Sequence, residues 1–140
     1  MIRNTKRFAV LDLDEITTFY HYTDEKGIIG IQETGIITAT PVTARDAFLG
    51  KGVYLTSMSP DEGKREIALN NWDGSSRSTA FNRLRKGRLD FYVKIEIPLD
   101  HDKRWTILNG FERLGRDIFL FRNEDIVLDD FEYEIESFDA

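Results

Sequence analysis

Three short stretches carry residue types that could do chemistry on a sugar. They are Phe19-Tyr20-His21-Tyr22-Thr23, Gly50-Lys51-Gly52-Val53-Tyr54-Leu55-Thr56 and Arg122-Asn123-Glu124-Asp125-Ile126-Val127. A histidine at a strand end facing a helix N-terminus can reach a ligand with its polar ring. A tyrosine behind two glycines offers a rigid aromatic plane where the backbone can approach a flat molecule. A carboxylate beside a glycosidic bond can hydrogen-bond a ribose hydroxyl and stabilise the positive charge that develops as the bond breaks. Each residue also has an ordinary reading: His21 as a core histidine, Tyr22 as a core or surface aromatic, Thr23 as a helix cap, the glycines as a turn, Glu124 or Asp125 as surface acids. The latter two are neighbours, so on a strand only one of them faces a given cleft.

The glycine stretch is not a dinucleotide fingerprint, because the third glycine is absent and a strand rather than a helix follows. It is not a phosphate-binding P-loop either, for want of Ser or Thr after Lys51.

The elements that must position these residues follow from local pattern. Ile16 to Tyr22 is β-branched and aromatic, a strand. Thr23 fits the cap of a helix with Asp24 and Glu25 in its first turn, Ile28, Ile29 and Ile31 inward, and Gly35 as its stop. Ile36 to Ala39 restarts as strand, 41–49 reads as loop, and Val53-Tyr54-Leu55 is a short strand. Ser59-Pro60 opens a second helix running to about Asn71. Residues 73–76 form a loop, and Thr79 to Leu84 a third helix. Leu89 to Ile97 alternates, with Phe91, Val93, Ile95 and Ile97 on one face and Tyr92, Lys94 and Glu96 on the other. Residues 105–108, 117–121 and 125–137 add strands, the last broken at Asp129-Asp130. Phe8 to Leu11 is an edge strand or arm. Helices gather in the first half and strands in the second, which is α+β in class.

The 140 residues amount to one domain, 1–140, with a core rich in its 10 Phe, 5 Tyr and 2 Trp. Without cysteine there are neither disulfides nor thiolate metal sites, and with His21 and His101 alone there is no histidine-rich one. No metal is expected. No apolar run is long enough for a membrane span and no apolar stretch follows the N-terminus, so the reading is cytoplasmic, with no membrane partner. The net charge of −6 speaks mildly against a nucleic-acid binder. The charge is uneven. Arg77, Arg83, Arg85, Lys86 and Arg88 form a stretch without an acid, whereas eight acids and no base lie from Glu124 onward. The basic stretch reads as a solvated face or as a docking surface for an anionic group.

The three motifs together resemble the ADP-ribosyltransferase superfamily. Gly50-Lys51-Gly52-Val53-Tyr54 and Asn123-Glu124-Asp125-Ile126-Val127 are similar to segments of the poly(ADP-ribose) polymerase catalytic domain. Tyr20-His21-Tyr22-Thr23-Asp24-Glu25-Lys26-Gly27, with Ile31 and Gly35, more closely resembles the bacterial His-Tyr-Asp-type ADP-ribosyltransferase toxin domains. The resemblance runs from about residue 17 to 130. It implies a split β-sandwich of two antiparallel sheets with flanking helices, and NAD+ as substrate in the cleft. By the same resemblance Glu124, His21 and Tyr54 are catalytic, and His21, Tyr22, Thr23, Gly52 and Tyr54 bind NAD+. His21 would hold a ribose hydroxyl, Tyr54 would stack on nicotinamide, and main chain at His21-Tyr22 would grip the carboxamide. The toxin-like family often carries Asp as its acid, which leaves Asp125 and Asp129 beside Glu124. The polymerases' serine eight residues past the motif tyrosine and their second stacking tyrosine correspond here to Glu62 and Arg65. The resemblance implies a macromolecular acceptor and admits a neutralising antitoxin or immunity protein. Charge favours a protein acceptor over nucleic acid. The competing readings are an NAD+ glycohydrolase, a binding module without chemistry, and the RNA 2′-phosphotransferase branch, for which the histidines are too few.

Overall fold

The computed structural model describes residues 18–40, 50–72, 77–98, 107–109 and 117–139. The expected arm at 8–11 and the loops at 41–49 and 73–76 lie outside them, as do Ile16, Thr17, Trp105 and Thr106. Strand β1 is Thr18–Thr23, and helix α1 is Glu25–Thr34. Strands β2 and β3 are Ile36–Ile37 and Gly52–Leu55. Helices α2 (Lys64–Trp72) and α3 (Arg77–Arg85) follow. The chain then runs through β4 (Phe91–Glu96), β5 (Ile107–Asn109), β6 (Phe119–Arg122), β7 (Ile126–Val127) and β8 (Glu132–Ser137).

Among the described residues all strand pairs are antiparallel, and the class is α+β as expected. Among the described residues the pairing makes three sheets, β1-β4-β8, β2-β7 and β3-β6-β5. They are stitched together by two isolated bridges, Tyr20 to Thr56 and Thr40 to Gly52.

The alternation expected along β4 is what the sheet uses. Val93, Ile95 and Ile97 are buried with Phe19 of β1, Phe119 and Phe121 of β6, Val53 and Leu55 of β3, and Ile28 and Ile31 of α1. On the opposite face, Tyr22, Tyr92 and Phe138 pack with Ile67, Ala68 and Trp72 of α2 and Ala80 and Leu84 of α3. The first sheet is therefore covered on both faces.

Several boundaries move for local reasons. The cap of α1 is Asp24, not Thr23: the Asp24 carboxylate accepts the Gly27 N–H at 2.8 Å, while Thr23 is the last residue of β1. Gly35 does stop the helix, with φ +70° and its N–H on the Ile31 carbonyl. Ile29 is 46% exposed rather than inward. Pro60 opens only a 3-10 turn, because Gly63 at φ +90° breaks the path before α2. The last strand is interrupted at Leu128–Asp130 by another 3-10 turn.

Candidate active site

Strands β1 and β3 meet at one hydrogen-bonded pair. Tyr20 N–H donates to Thr56 O at 2.7 Å, and Thr56 N–H to Tyr20 O at 3.0 Å. Four residues back along the same edge of β3, Gly52 and Thr40 exchange a second pair at 2.7 and 3.1 Å. Between these bridges the edge opens, and there the carbonyl of Tyr54 meets His21 Nδ1 at 3.1 Å. A carbonyl oxygen only accepts, so Nδ1 carries the proton and Nε2 is the acceptor of the neutral ring. Burial pushes the His21 pKa below its ordinary value, and the bond to Tyr54 only partly offsets this. The ring is therefore neutral near pH 7.

His21 stands between two cavities. The smaller, about 150 Å³, is lined by Tyr20, His21, Tyr22, Tyr54, Trp72 and Thr56 among others. The larger, about 460 Å³, runs from His21 and Thr23 along α1 past Lys26, Gly27 and Gly30 to the Ile36–Thr38 segment. The first is aromatic and suits a flat ring. The second offers a helix N-terminal turn and the Lys26 ammonium, groups that favour an anion.

Tyr22 OH donates to Met58 O at 2.7 Å, and its ring stacks near Tyr20, Tyr92 and Phe138 with centroids 5.6–6.1 Å away. Burial raises its pKa above the ordinary phenol range, so it is a fixed donor. Tyr54 OH donates to Gly50 O at 2.7 Å, which ties the ring to the glycine turn. Gly52 has a packing role that the ligand argument did not foresee. At φ +152°, a Cβ there would stand 2.2 Å from the Phe121 carbonyl oxygen, so glycine is what lets β3 lie against β6.

The acids are placed apart from the two cavities; neither is lined by Glu124, Asp125 or Asp129. Glu124 is exposed in the turn after β6, where Asn123, at φ +66°, donates its N–H to Lys51 O at 2.9 Å. The turn thus abuts the Gly50-Lys51 loop that holds the Tyr54 hydroxyl. Asp125 is occupied differently: its Oδ1 accepts the Ala39 N–H at 2.7 Å, anchoring the segment that bridges to Gly52. Asp129 is exposed in the 3-10 turn that follows β7.

Among the expected site residues, the fold sets Tyr22 and Tyr54 at the smaller cavity, Thr23 at the larger and His21 at both. It adds to the smaller cavity Trp72, Asn71, Thr40 and Ile118, which the pattern reading missed, beside Thr56 of the glycine stretch. Trp72 had a weak signal, an indole at the end of a helix whose apolar residues are otherwise Ile67, Ala68 and Leu69. Arg83 and Arg88 stack over its ring at 5.5 and 6.0 Å, so part of the basic stretch packs against the cavity wall. Glu62 and Arg65 line neither cavity; Arg65 lies over Phe81 instead. Trp72 provides the additional aromatic wall.

The α+β fold thus sets a strand-borne histidine against the main chain of the tyrosine in a Gly-x-Gly-x-Tyr strand. The family model described as a HYD1 signature containing ADP-ribosyltransferase, Tox-ART-HYD1, matches residues 19–104, and the chain belongs to this toxin-associated family. The matched segment holds His21 and Tyr54 and ends before Glu124. No curated protein and no solved structure matches the chain.

Proposed function

We propose that the protein is an NAD+-dependent ADP-ribosyltransferase, a small toxin, effector or defence enzyme, whose residues 1–140 form one catalytic domain of split-sandwich type. The observation that carries this reading is His21 at the opening between β1 and β3, its Nδ1 on Tyr54 O and its ring shared by two cavities. Nicotinamide occupies the aromatic cavity against Tyr54, and the adenosine diphosphate part lies along α1. His21 Nε2 accepts a ribose hydroxyl between them, which orients the sugar. The C1′–N bond breaks with its electron pair going to the pyridinium nitrogen, so nicotinamide leaves neutral. The oxocarbenium ion is taken by a nucleophile of the acceptor, which then loses its proton. Glu124 is the acid assigned to support that ion, with Asp125 and Asp129 as the alternatives.

The acceptor is a macromolecule, and a protein is favoured. The tail from Glu124 carries eight acids, which raises an electrostatic barrier to a polyanion. Its basic complement, Arg77 to Arg88, is partly engaged on Trp72. A neutralising antitoxin or immunity protein fits the toxin class. The test is transfer of label from NAD+ into cell extract, followed by protease or nuclease. Protease-sensitive label is expected. Label that survives protease and disappears with nuclease makes nucleic acid the acceptor, and transfer then falls steeply with salt as counterions are released.

A further inference from the structure

Among the described residues, the buried polar side chains are Thr56 and Asp117, and they bond each other, Thr56 Oγ1 to Asp117 Oδ1 at 3.2 Å. Asp117 Oδ1 also accepts Ser57 N–H at 2.8 Å, and Oδ2 accepts the Ser57 hydroxyl at 2.5 Å. A carboxylate at 4% exposure that takes three donors from two adjacent residues fixes their main chain. Asp117 is itself held. Its N–H donates to Asn70 Oδ1 and its carbonyl accepts Asn70 Nδ2, both at 2.8 Å, so the amide of Asn70 pairs with it as a neighbouring strand would.

What this cluster grips is the frame of the small cavity. Thr56 main chain pairs with Tyr20, and Met58 O takes the Tyr22 hydroxyl. Met58 N–H is turned onto Thr56 Oγ1 at 3.2 Å. Both neighbours of His21 are thus tied to the 56–58 segment, and that segment is tied to Asp117. Asn70 places Asn71 and Trp72 of α2 in the same cavity wall, and Ile118, next to Asp117, completes it.

We propose that Asp117 is a positioning residue for the active site: through Thr56 and Ser57 it sets β1 against β3, and so sets His21 against the Tyr54 carbonyl and the aromatic walls against one another. The kinetic part of the proposal rests on the NAD+ reading above, whereas the structural part does not. Asp117 touches neither substrate nor reacting atoms in this scheme. Its loss therefore lowers the turnover number more than it raises KM, because the sugar is still bound but is misaligned.

The experiment pairs nitrogen NMR of His21 with kinetics on the full chain, the His21 signal being assigned with His101→Gln. In the unsubstituted protein His21 is the Nδ1–H tautomer. Asp117→Ala is expected to mix the tautomers and to lower kcat for NAD+ cleavage about 100-fold, the scale of a 1 Å misplacement, with KM changed by less than about 3-fold, well below that loss. Asp117→Asn, which still accepts Ser57 N–H, is expected to restore the Nδ1–H tautomer and most of the rate. An Asp117→Ala protein that folds with the native tautomer and native kcat overturns the proposal, as does a loss confined to KM. Should Asp117→Ala not fold, Thr56→Val and Ser57→Ala decide in its place: native tautomer and kcat in both overturn it. If the unsubstituted protein cleaves no NAD+, the functional reading fails and the tautomer measurement alone judges Asp117.

Discussion

The imidazole of His21 donates from Nδ1 to the main-chain carbonyl of Tyr54 across 3.1 Å, so the hydrogen bond between the two motif residues is made by the tyrosine's backbone. The ring of Tyr54 is held from elsewhere, by Gly50 O. One consequence is a separation of roles. Tyr54→Phe keeps the main-chain carbonyl, hence the histidine tautomer, and loses only the hydroxyl bond, worth about 1 kcal/mol. Tyr54→Ala also keeps the carbonyl but removes the aromatic wall and weakens NAD+ by about 1–2 kcal/mol on the scale of aromatic contacts. Calorimetry with equal affinity for the Ala variant would take the ring out of the pocket.

Burial holds the His21 pKa below its usual value. The unfolded chain then binds the proton more readily than the folded one. The stability due to neutral His21 is whole above about pH 6.5 and is lost as pH falls through the folded pKa. Activity falls over the same acid range, because a protonated Nε2 no longer accepts a hydroxyl. Urea titrations between pH 4 and 8 should show an acid limb that His21→Gln shallows. An unchanged limb would show that His21 titrates like a solvent-exposed ring.

Gly52→Ala is expected to destabilise the fold by about 3 kcal/mol. The added methyl would meet the Phe121 carbonyl oxygen at 2.2 Å, in a backbone region that L residues avoid. Thermal melts of this variant beside Gly30→Ala, where the added methyl meets nothing within 4 Å, make the comparison. Equal melting temperatures would contradict the close approach of β3 and β6.

The acid is decided by charge removal at constant size. Glu124→Gln should slow NAD+ cleavage about 100-fold or more, with little change in NAD+ affinity, since the charge is felt mainly in the transition state. Asp125→Asn should be mild, because the amide oxygen still accepts Ala39 N–H in place of the 2.7 Å bond to Oδ1. A fully active Glu124→Gln beside a dead Asp125→Asn reverses the assignment.

What could be read in the chain beforehand was what local pattern controls. The alternation in β4 marked the buried face of Val93, Ile95 and Ile97, because side chains in a strand face alternate sides. The convergence of His21 and Tyr54 was legible because each sits in a short motif. The cap was misplaced by one residue, since Thr23 and Asp24 are both good caps and only strand length decides between them. Ile29 was read inward although the helix buries a narrow stripe through Ile28 and Ile31. The count of sheets and the cavity wall from Trp72 depend on tertiary pairing, which no local window holds. Asp117 gave no signal at all: its partners Ser57 and Asn70 are distant in sequence.

The central claim is that this site cleaves NAD+ and transfers ADP-ribose, and mass spectrometry tests it most directly. The protein, its His21→Ala variant and its Glu124→Gln variant are each incubated with NAD+ and cell extract, and free nicotinamide and added ADP-ribose are measured. The unsubstituted protein should release nicotinamide in step with ADP-ribose gained by a macromolecule, and both variants should lose the two signals together. Release of nicotinamide with free ADP-ribose as its only counterpart would make the enzyme a glycohydrolase. Nicotinamide at the level of extract alone would contradict the account.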